Sequence, residues 1–471
     1  MTGKHANLHH EKLSRALICV TAVPIFLAIL FYVTYSAKAW FFQDDFRFIF
    51  LYSDRLRIGE LADFSNFGRF VSRNLYWHFG WRIFGSHSEF YFLLNFLIIA
   101  CTSWVLYLVF ALRQDRYSGM VAAAIYFCLP PVMSAYTWLS YSQHLLGHLF
   151  VLLFVWCYLR SRKEGPGSLS LGRAVLLSVV LCCGLLSNAF VGAVLSLPLV
   201  TAALNQPIRQ SRSHWIWLGF ATTGFGTFSY QMTKWAVGAY ATDFSGAVVT
   251  QNLEFYFKHI GIAISWLFMT IFGAVLALRG RDIFGFWLFI ASPAFLLPFI
   301  FLTHQRYIEY GALAYLFFIL GCWSLVWEHM KSKQWLSSIY FAGAFLALAL
   351  LLASSIKPMQ KALAHPKGWA QLRQVEDLRD LTNSHPNAKR ICFRADNQEA
   401  QSDVEVWNIP TEWWGVGFGE AFSIFVDPGK SYRLLSENEE NADMLRSVVG
   451  SSQISSCQST FNLWSDSIRP S

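Results

Sequence analysis

Long apolar runs separated by short basic or turn-rich breaks dominate the first three quarters of the chain, and a polar stretch without such runs makes up the rest. Runs of roughly 18 or more apolar residues match the thickness of a hydrocarbon core, and they predict about eleven membrane-spanning helices. These begin near Ala16, Phe90, Tyr117, Leu145, Ala174, Ala189, Trp215, His259, Ile283, Gly311 and Trp335. The stretch from Ala174 to Leu204 would overshoot a bilayer as one helix, so it divides at Ser187-Asn188. The third run carries Pro130-Pro131 near its end and is expected to kink or stop there. After Ser355 the pattern changes. Gly368 to Thr382 has helical spacing at Leu372, Val375, Leu378 and Leu381, whereas Arg390–Arg394, Val404–Ile409 and Ala421–Val426 read as strands. The expected fold is an all-α polytopic membrane protein over residues 1–356, followed by a small α/β or α+β domain over 357–471.

Composition agrees with that class: 55% hydrophobic and only 14% charged over 471 residues is too apolar for a soluble domain of this length. The net charge of +8 does not point to nucleic acid, because the basic residues fall in short clusters between apolar runs. Lys4, Lys12 and Arg15, then Arg113 and Arg116, Arg160, Arg162 and Lys163, Arg209 and Arg212, Arg279 and Arg281, and Lys331 and Lys333 all fall on one side, which the positive-inside rule makes the cytoplasm. The first run follows a His- and Lys-containing tail with His5, His9 and His10 and has no evident small-residue cleavage site, so it is expected to be retained with its N-terminus inside. An odd number of spans then puts residues 357–471 outside. No Asn-x-Ser/Thr sequon occurs, and a bacterial inner membrane with a periplasmic C-terminal domain is the simplest expectation. Seven of the nine cysteines lie in apolar runs; Cys392 and Cys457 lie in the polar tail, where an oxidising compartment would allow a disulfide.

Against this topology, the first outer loop, residues 38–88, is anomalous. It opens with Trp40-Phe41-Phe42-Gln43-Asp44-Asp45-Phe46 and carries Arg47, Arg55, Arg57, Arg69, Arg73 and Arg82 on the side where positive charge is avoided. Adjacent carboxylates point about 100° apart on a helix, so the pair divides into one base and one structural partner. Phe46, Ile49 and Phe50 at helical spacing predict an interfacial helix on the membrane, with Asp45 as its N-cap and Asp44 facing an acceptor. A bland alternative is that both aspartates cap and solvate that helix. Arg69 and Arg73 share a helix face that Tyr76 and Trp77 continue, which suits either gripping phosphate oxygens beside a stacking aromatic or snorkelling to headgroups within an aromatic belt. Arg306 sits in a short late outer loop with His304, Tyr307 and Glu309, and Glu309 is a candidate ion-pair partner for it.

Asp44-Asp45 in Gln-Asp-Asp-Phe, Gly68-Arg69-Phe70 with Arg73, and Arg306-Tyr307 in His-Gln-Arg-Tyr-Ile-Glu-Tyr together resemble the GT-C superfamily of integral membrane glycosyltransferases. The resemblance covers the layout of most of the membrane part and not residues 357–471, and it is similar to that of bacterial members that glucosylate O-antigen. It implies transfer of a single sugar from a polyprenyl-phosphate donor to a glycan hydroxyl on the outer face. The implied roles are Asp44 and Asp45 as the catalytic acidic pair and Arg69, Arg73 and Arg306 as donor-phosphate ligands. Tyr76, Trp77, Tyr307, His304 and Glu309 become substrate contacts. Metal-dependent members add an acidic group from a second outer loop, but here the corresponding turn reads Tyr136-Thr137-Trp138-Leu139-Ser140-Tyr141-Ser142-Gln143-His144, with no carboxylate. His144 and His148 share a face, and Asp243 and Glu254 could add oxygens, yet a metal-independent mechanism with no cofactor and arginine as electrophile is preferred. The competing classes are a flippase or transporter for lipid-linked sugars and an O-antigen ligase or polymerase. No internal repeat is found, and the charges cluster at the outer boundary rather than the midplane.

Overall fold

The computed structural model describes residues 21–42, 44–52, 69–164, 169–205, 208, 211–235, 243–303, 307–330, 350, 353–384, 390–395, 425, 431–435, 459–463 and 468–470. It is mostly helical. The first helix is α1 (Thr21–Ser36), followed by α2 (Asp44–Tyr52), a π-helix (Phe70–Leu75), α3 (Tyr76–Phe84) and α4 (Ser88–Arg113). Next come α5 (Arg116–Phe127), α6 (Pro130–Tyr136), a 3-10 turn (Leu139–Tyr141), α7 (Ser142–Glu164) and α8 (Leu171–Leu185). A 3-10 segment (Ala189–Leu195) leads into α9 (Ser196–Leu204), α10 (Arg212–Trp235), α11 (Gly246–Phe257), α12 (Ile260–Arg279) and α13 (Ile283–Leu296). A 3-10 turn (Ile308–Gly311) opens α14 (Ala312–Met330), a helix α15 covers 353–364, and α16 is Trp369–Ser384.

Among the described residues, four helical stretches are long and apolar enough to cross a membrane: Ser88–Arg113, Leu139–Lys163, Ile260–Arg279 and Ile308–Trp327. A fifth arises if α5 and α6, bent by 52° at their junction, count as one span. The bend falls where Pro130-Pro131 predicted it. Leu129 is held extended by the proline that follows, and Pro130 restarts the helix at its first position, where a missing N–H costs nothing. The long apolar stretch 174–204 also divides as expected: α8 ends at Leu185, and Asn188 is extended before the chain resumes. The predicted spans beginning near Ala16 and Trp335 fall partly or wholly outside the described residues.

The expected interfacial helix forms as α2 but does not lie free on a bilayer. Phe46, Phe48, Ile49 and Tyr52 are buried within the protein, against α3, the π-helix and Phe425. Helix α15 runs through residues 356 and 357, where the composition changes. Beyond it, β1 (Arg390–Ala395), β2 (Ser431–Leu435), β3 (Ser459–Leu463) and β4 (Ile468–Pro470) form a sheet in the order β2-β1-β3-β4. β1 is parallel to β2 and β3, with Cys392 opposite Arg433 and Thr460, and β4 is antiparallel to β3. The strand expected at Arg390–Arg394 is therefore present. Residues 404–409 lie outside the described residues, and of 421–426 only Phe425 is described, as helical. Cys457 also lies outside them, and with it the suggested disulfide.

Small residues set the closest helix approaches in the membrane part, as expected where the surrounding solvent is as apolar as the side chains. Gly273 on α12 lies against the ring of Phe289 on α13, and a Cβ there would run into that ring. Gly273→Leu should destabilise the α12–α13 contact by about 1–3 kcal/mol, read as a lower thermal midpoint of the detergent-solubilised protein.

Candidate functional site

The acidic turn is fixed by a knot of three distant segments. Tyr35 at the end of α1 donates its phenol proton to the Thr137 carbonyl at 2.8 Å and accepts from the Lys367 amide at 3.2 Å. The Trp40 amide donates to the Lys367 carbonyl at 2.9 Å. Gly368 has φ +79°, and a Cβ on it would collide with the Trp40 carbonyl, so the residue must be glycine on two counts. Phe425 packs its ring against Trp40, Phe41, Phe46 and Trp81, and its carbonyl accepts from Arg379 Nε at 3.0 Å and Nη2 at 2.9 Å.

Asp45 is the second residue of α2, not the residue before it, so it is not the N-cap that the sequence suggested. Its carboxylate reaches backward, accepting from the Phe42 amide at 2.9 Å and from the Ser140 hydroxyl. At 1% exposure it is buried, and its position in the first turn places it where the helix dipole favours an anion. Asp44 is the first residue of the same helix; its side chain, like Gln43, lies outside the described residues.

Around Asp45 the turn 137–142 contributes more than Ser140. Trp138 Nε1 donates to the Phe42 carbonyl at 3.2 Å, and the Lys367 ammonium lies 4.8 Å from the centre of the Trp138 ring and 5.9 Å from that of Phe42. This is a cation held over aromatic faces. Burial pushes the Lys367 ammonium below its ordinary value, and the negative charges of Glu309 and Asp45 hold it part of the way back up. Glu309, in the 3-10 turn that opens α14, is itself buried at 5% exposure and accepts from the Ser134 hydroxyl. Tyr307 packs between Trp138, Tyr141 and Tyr310. His304 and Arg306 lie outside the described residues.

The basic side of the site is built on the π-helix. The Val71 amide donates to the Leu186 carbonyl at 2.8 Å and Ser72 Oγ to the Ser187 carbonyl at 2.7 Å, docking the segment on the turn between α8 and the 3-10 segment that follows. Arg73 lies with its guanidinium 4.6 Å over the ring of Phe48. Phe48, the ring beneath this charge, is three residues after Asp45 on α2, about one turn along the helix. Both Arg69 and Arg73 act electrostatically on His144. His144 stacks on Phe190, lies against Tyr141 and Tyr310, and meets the Asn188 amide at 3.5 Å. Tyr141 thus joins the acidic and basic sides.

Of the residues singled out from the sequence, Asp45, Arg69, Arg73, Tyr307 and Glu309 come together in this region. Tyr76 and Trp77 do not extend the arginine face. The chain is π-helical between Arg69 and Tyr76, and both aromatics turn into the core, where Trp77 is 0% exposed and the Tyr76 phenol donates to Asn95 Oδ1 at 2.9 Å. They are buried supports beneath Phe48 and Tyr91 rather than faces presented to a substrate. Sequence reasoning missed Lys367, Ser140 and Ser134. Their signals were present: His365-Pro366-Lys367-Gly368 is a turn carrying a cation just past the apolar region, and the 137–142 turn is rich in hydroxyls.

His148 and Asp243, weighed from the sequence as metal ligands, each have a local partner. His148 Nδ1 meets the Tyr126 hydroxyl at 3.1 Å, and Asp243 accepts from the Ser245 amide at 2.8 Å as part of the start of α11. Among the described residues, no three His, Cys, Asp or Glu side chains gather in a group able to hold a metal ion. No protein-family model matches this sequence, and no curated protein matches it at a significant level.

Two outcomes are expected at the knot. Gly368→Ala should cost about 1–3 kcal/mol through strain and overlap with Trp40, measured by denaturation in detergent. For Lys367, the depressed folded-state pKa means that the unfolded chain binds the proton more tightly. The cost of its buried charge is fully present below the depressed value and is relieved as pH rises towards 10.5. Wild-type stability relative to Lys367→Met should therefore rise with pH through the window between that depressed value and 10.5, in paired unfolding titrations.

Proposed function

We propose that this chain is a GT-C-type glycosyltransferase of a bacterial inner membrane. It moves one sugar from a polyprenyl-phosphate donor to a hydroxyl of a cell-envelope glycan such as O-antigen, with residues 357–471 on the outer, periplasmic face. The observation that carries this reading is the convergence on one turn of α2 of a buried carboxylate, Asp45, and an arginine, Arg73, with Lys367 and Glu309 close enough to act electrostatically. Glycosyl transfer from a lipid phosphate requires a base held beside fixed positive charge, and the turn that Asp45 anchors sets its neighbour Asp44 next to those cations.

Asp45, committed to Ser140 and the Phe42 amide, holds the turn; Asp44, one residue earlier on the helix, is the base. Asp44 removes the proton of the acceptor hydroxyl as its oxygen forms a bond to the anomeric carbon. The bond from that carbon to the phosphate oxygen breaks, and its electron pair leaves on the lipid phosphate. Arg69, Arg73 and Lys367 stabilise that charge, and Arg306 is assigned the same role. A single displacement inverts the anomeric configuration. No metal ion or organic cofactor enters this scheme. The sugar-contacting aromatic is Tyr307, in place of the buried Tyr76 and Trp77.

Purified protein supplied with a synthetic polyprenyl-phosphate sugar and a glycan acceptor should release polyprenyl phosphate, in chelator as well as without it. Asp44→Asn should lower turnover by roughly 10²-fold or more with unchanged melting. Full turnover in both Asp44→Asn and Asp45→Asn would remove the acid–base role. Movement of intact lipid-linked sugar across vesicles with no release of polyprenyl phosphate would replace the transferase with a transporter.

A further inference from the structure

At the other end of α7, about 30 Å of helix from Ser142, a second cluster is built around Arg162 in the last turn. Its guanidinium carbon lies 5.1 Å over the ring of Tyr158, and Nη2 bonds to Nδ1 of the buried His214, near the start of α10. An arginine has no acceptor and does not lose its proton, so His214 Nδ1 must accept. The other ring nitrogen then donates to the Pro198 carbonyl at 3.3 Å. Burial, with the Arg162 charge added, pushes His214 down to about 4, which keeps it the neutral acceptor this geometry demands. The histidine is thus a brace that fixes the plane of the guanidinium.

What the brace leaves over is informative. Arg162 Nε and Nη1 are buried with no well-aligned hydrogen-bond partner among the described residues, and the buried Tyr158 hydroxyl lies against Arg162 and Thr201. Buried guanidinium nitrogens left without good acceptors are costly, and an incoming acceptor group would satisfy them. Among the described residues, the charged side chains beside them are arginines. Arg173 Nη1 donates to the Ser161 carbonyl at 3.2 Å, and Arg160 lies 5.4 Å over Trp156. The complement to a fixed planar fork, a phenol and a positive surround is an anion with several acceptor oxygens. At the boundary end of a membrane-spanning helix the abundant anion of that kind is a phosphate.

We propose that Arg162 and Tyr158, with His214 as the brace, form a phosphate-binding site at the end of α7 remote from the acidic pair. The phosphate belongs either to a phospholipid headgroup or to a soluble phosphorylated molecule, and the site is independent of the glycosyltransferase reading.

The test uses the full chain. In one arm, protein in nanodiscs of mixed phosphatidylglycerol and phosphatidylcholine is released into native mass spectrometry and retained lipids are counted. In the other, inorganic phosphate is titrated calorimetrically into lipid-depleted protein in neutral detergent. Retention of phosphatidylglycerol that falls roughly tenfold or more in Arg162→Gln, and less in Tyr158→Phe, supports the site and makes its ligand a lipid. Saturable phosphate binding with the same sensitivity supports the site and makes its ligand soluble. Arg162→Lys keeps the charge without the fork and should bind at an intermediate level, which separates recognition from loss of fold. Binding in neither arm, or binding indifferent to all three substitutions in protein with unchanged melting, overturns the proposal.

Discussion

The hydrogen bond from the Trp40 amide to the Lys367 carbonyl is the interaction on which the arrangement of the acidic turn depends. It joins the exit of the first helix to a segment far along the chain: Lys367 and its other partner, Tyr35, are 332 positions apart. Closing so long a connection costs chain entropy that grows only slowly with length, and several local contacts offset it together. Gly368, held at positive φ against the Trp40 carbonyl, lets the two backbones approach closely. Phe425 then covers Trp40, Phe41 and Phe46 from the C-terminal side. The result is that α2 starts at a defined place and in a defined direction.

From that fixed start follows the placement of charge. Two carboxylates, Asp45 and Glu309, are taken out of water; Asp45 is given a serine hydroxyl from the turn between α6 and α7, and Glu309 one from α6 itself. Buried charges of one sign, left alone, would take up protons or expel one another. Lys367 lies within their field, over the rings of Trp138 and Phe42, and offsets them without the rigid pairing of a bidentate salt bridge. Arg73 supplies a second positive charge a turn further along α2, over Phe48. A region with separated, fixed negative and positive groups is the kind of preorganised field that the proposed sugar transfer would use.

Much of the membrane part was legible in the sequence because apolar length and proline act locally. The break at Pro130-Pro131 and the division of 174–204 near Ser187-Asn188 follow from backbone chemistry within a few residues. The importance of Asp45 was also legible, since a carboxylate at a membrane boundary is expensive wherever it points. Its orientation was not. Whether a carboxylate caps its own helix or reaches back to Phe42 and Ser140 is decided by a partner that arrives 95 positions later. Tyr76 and Trp77 were misplaced for a similar reason. A π-helical turn changes the face on which following residues emerge, and no pattern of side chains announces it. Lys367 stayed hidden because a lone cation after a proline looks like an ordinary turn until the knot brings it beside two acids.

Hydrogen exchange of the Trp40, Phe42 and Lys367 amides in the intact protein tests most directly whether the acidic turn and the downstream segment are one unit. Each of these amides donates within the knot or to Asp45. A single cooperative opening would therefore expose all three with one free energy. The account predicts slow exchange at a common opening free energy. Rapid exchange at Trp40 and Lys367, or protection of Phe42 that is unrelated to theirs, would contradict it.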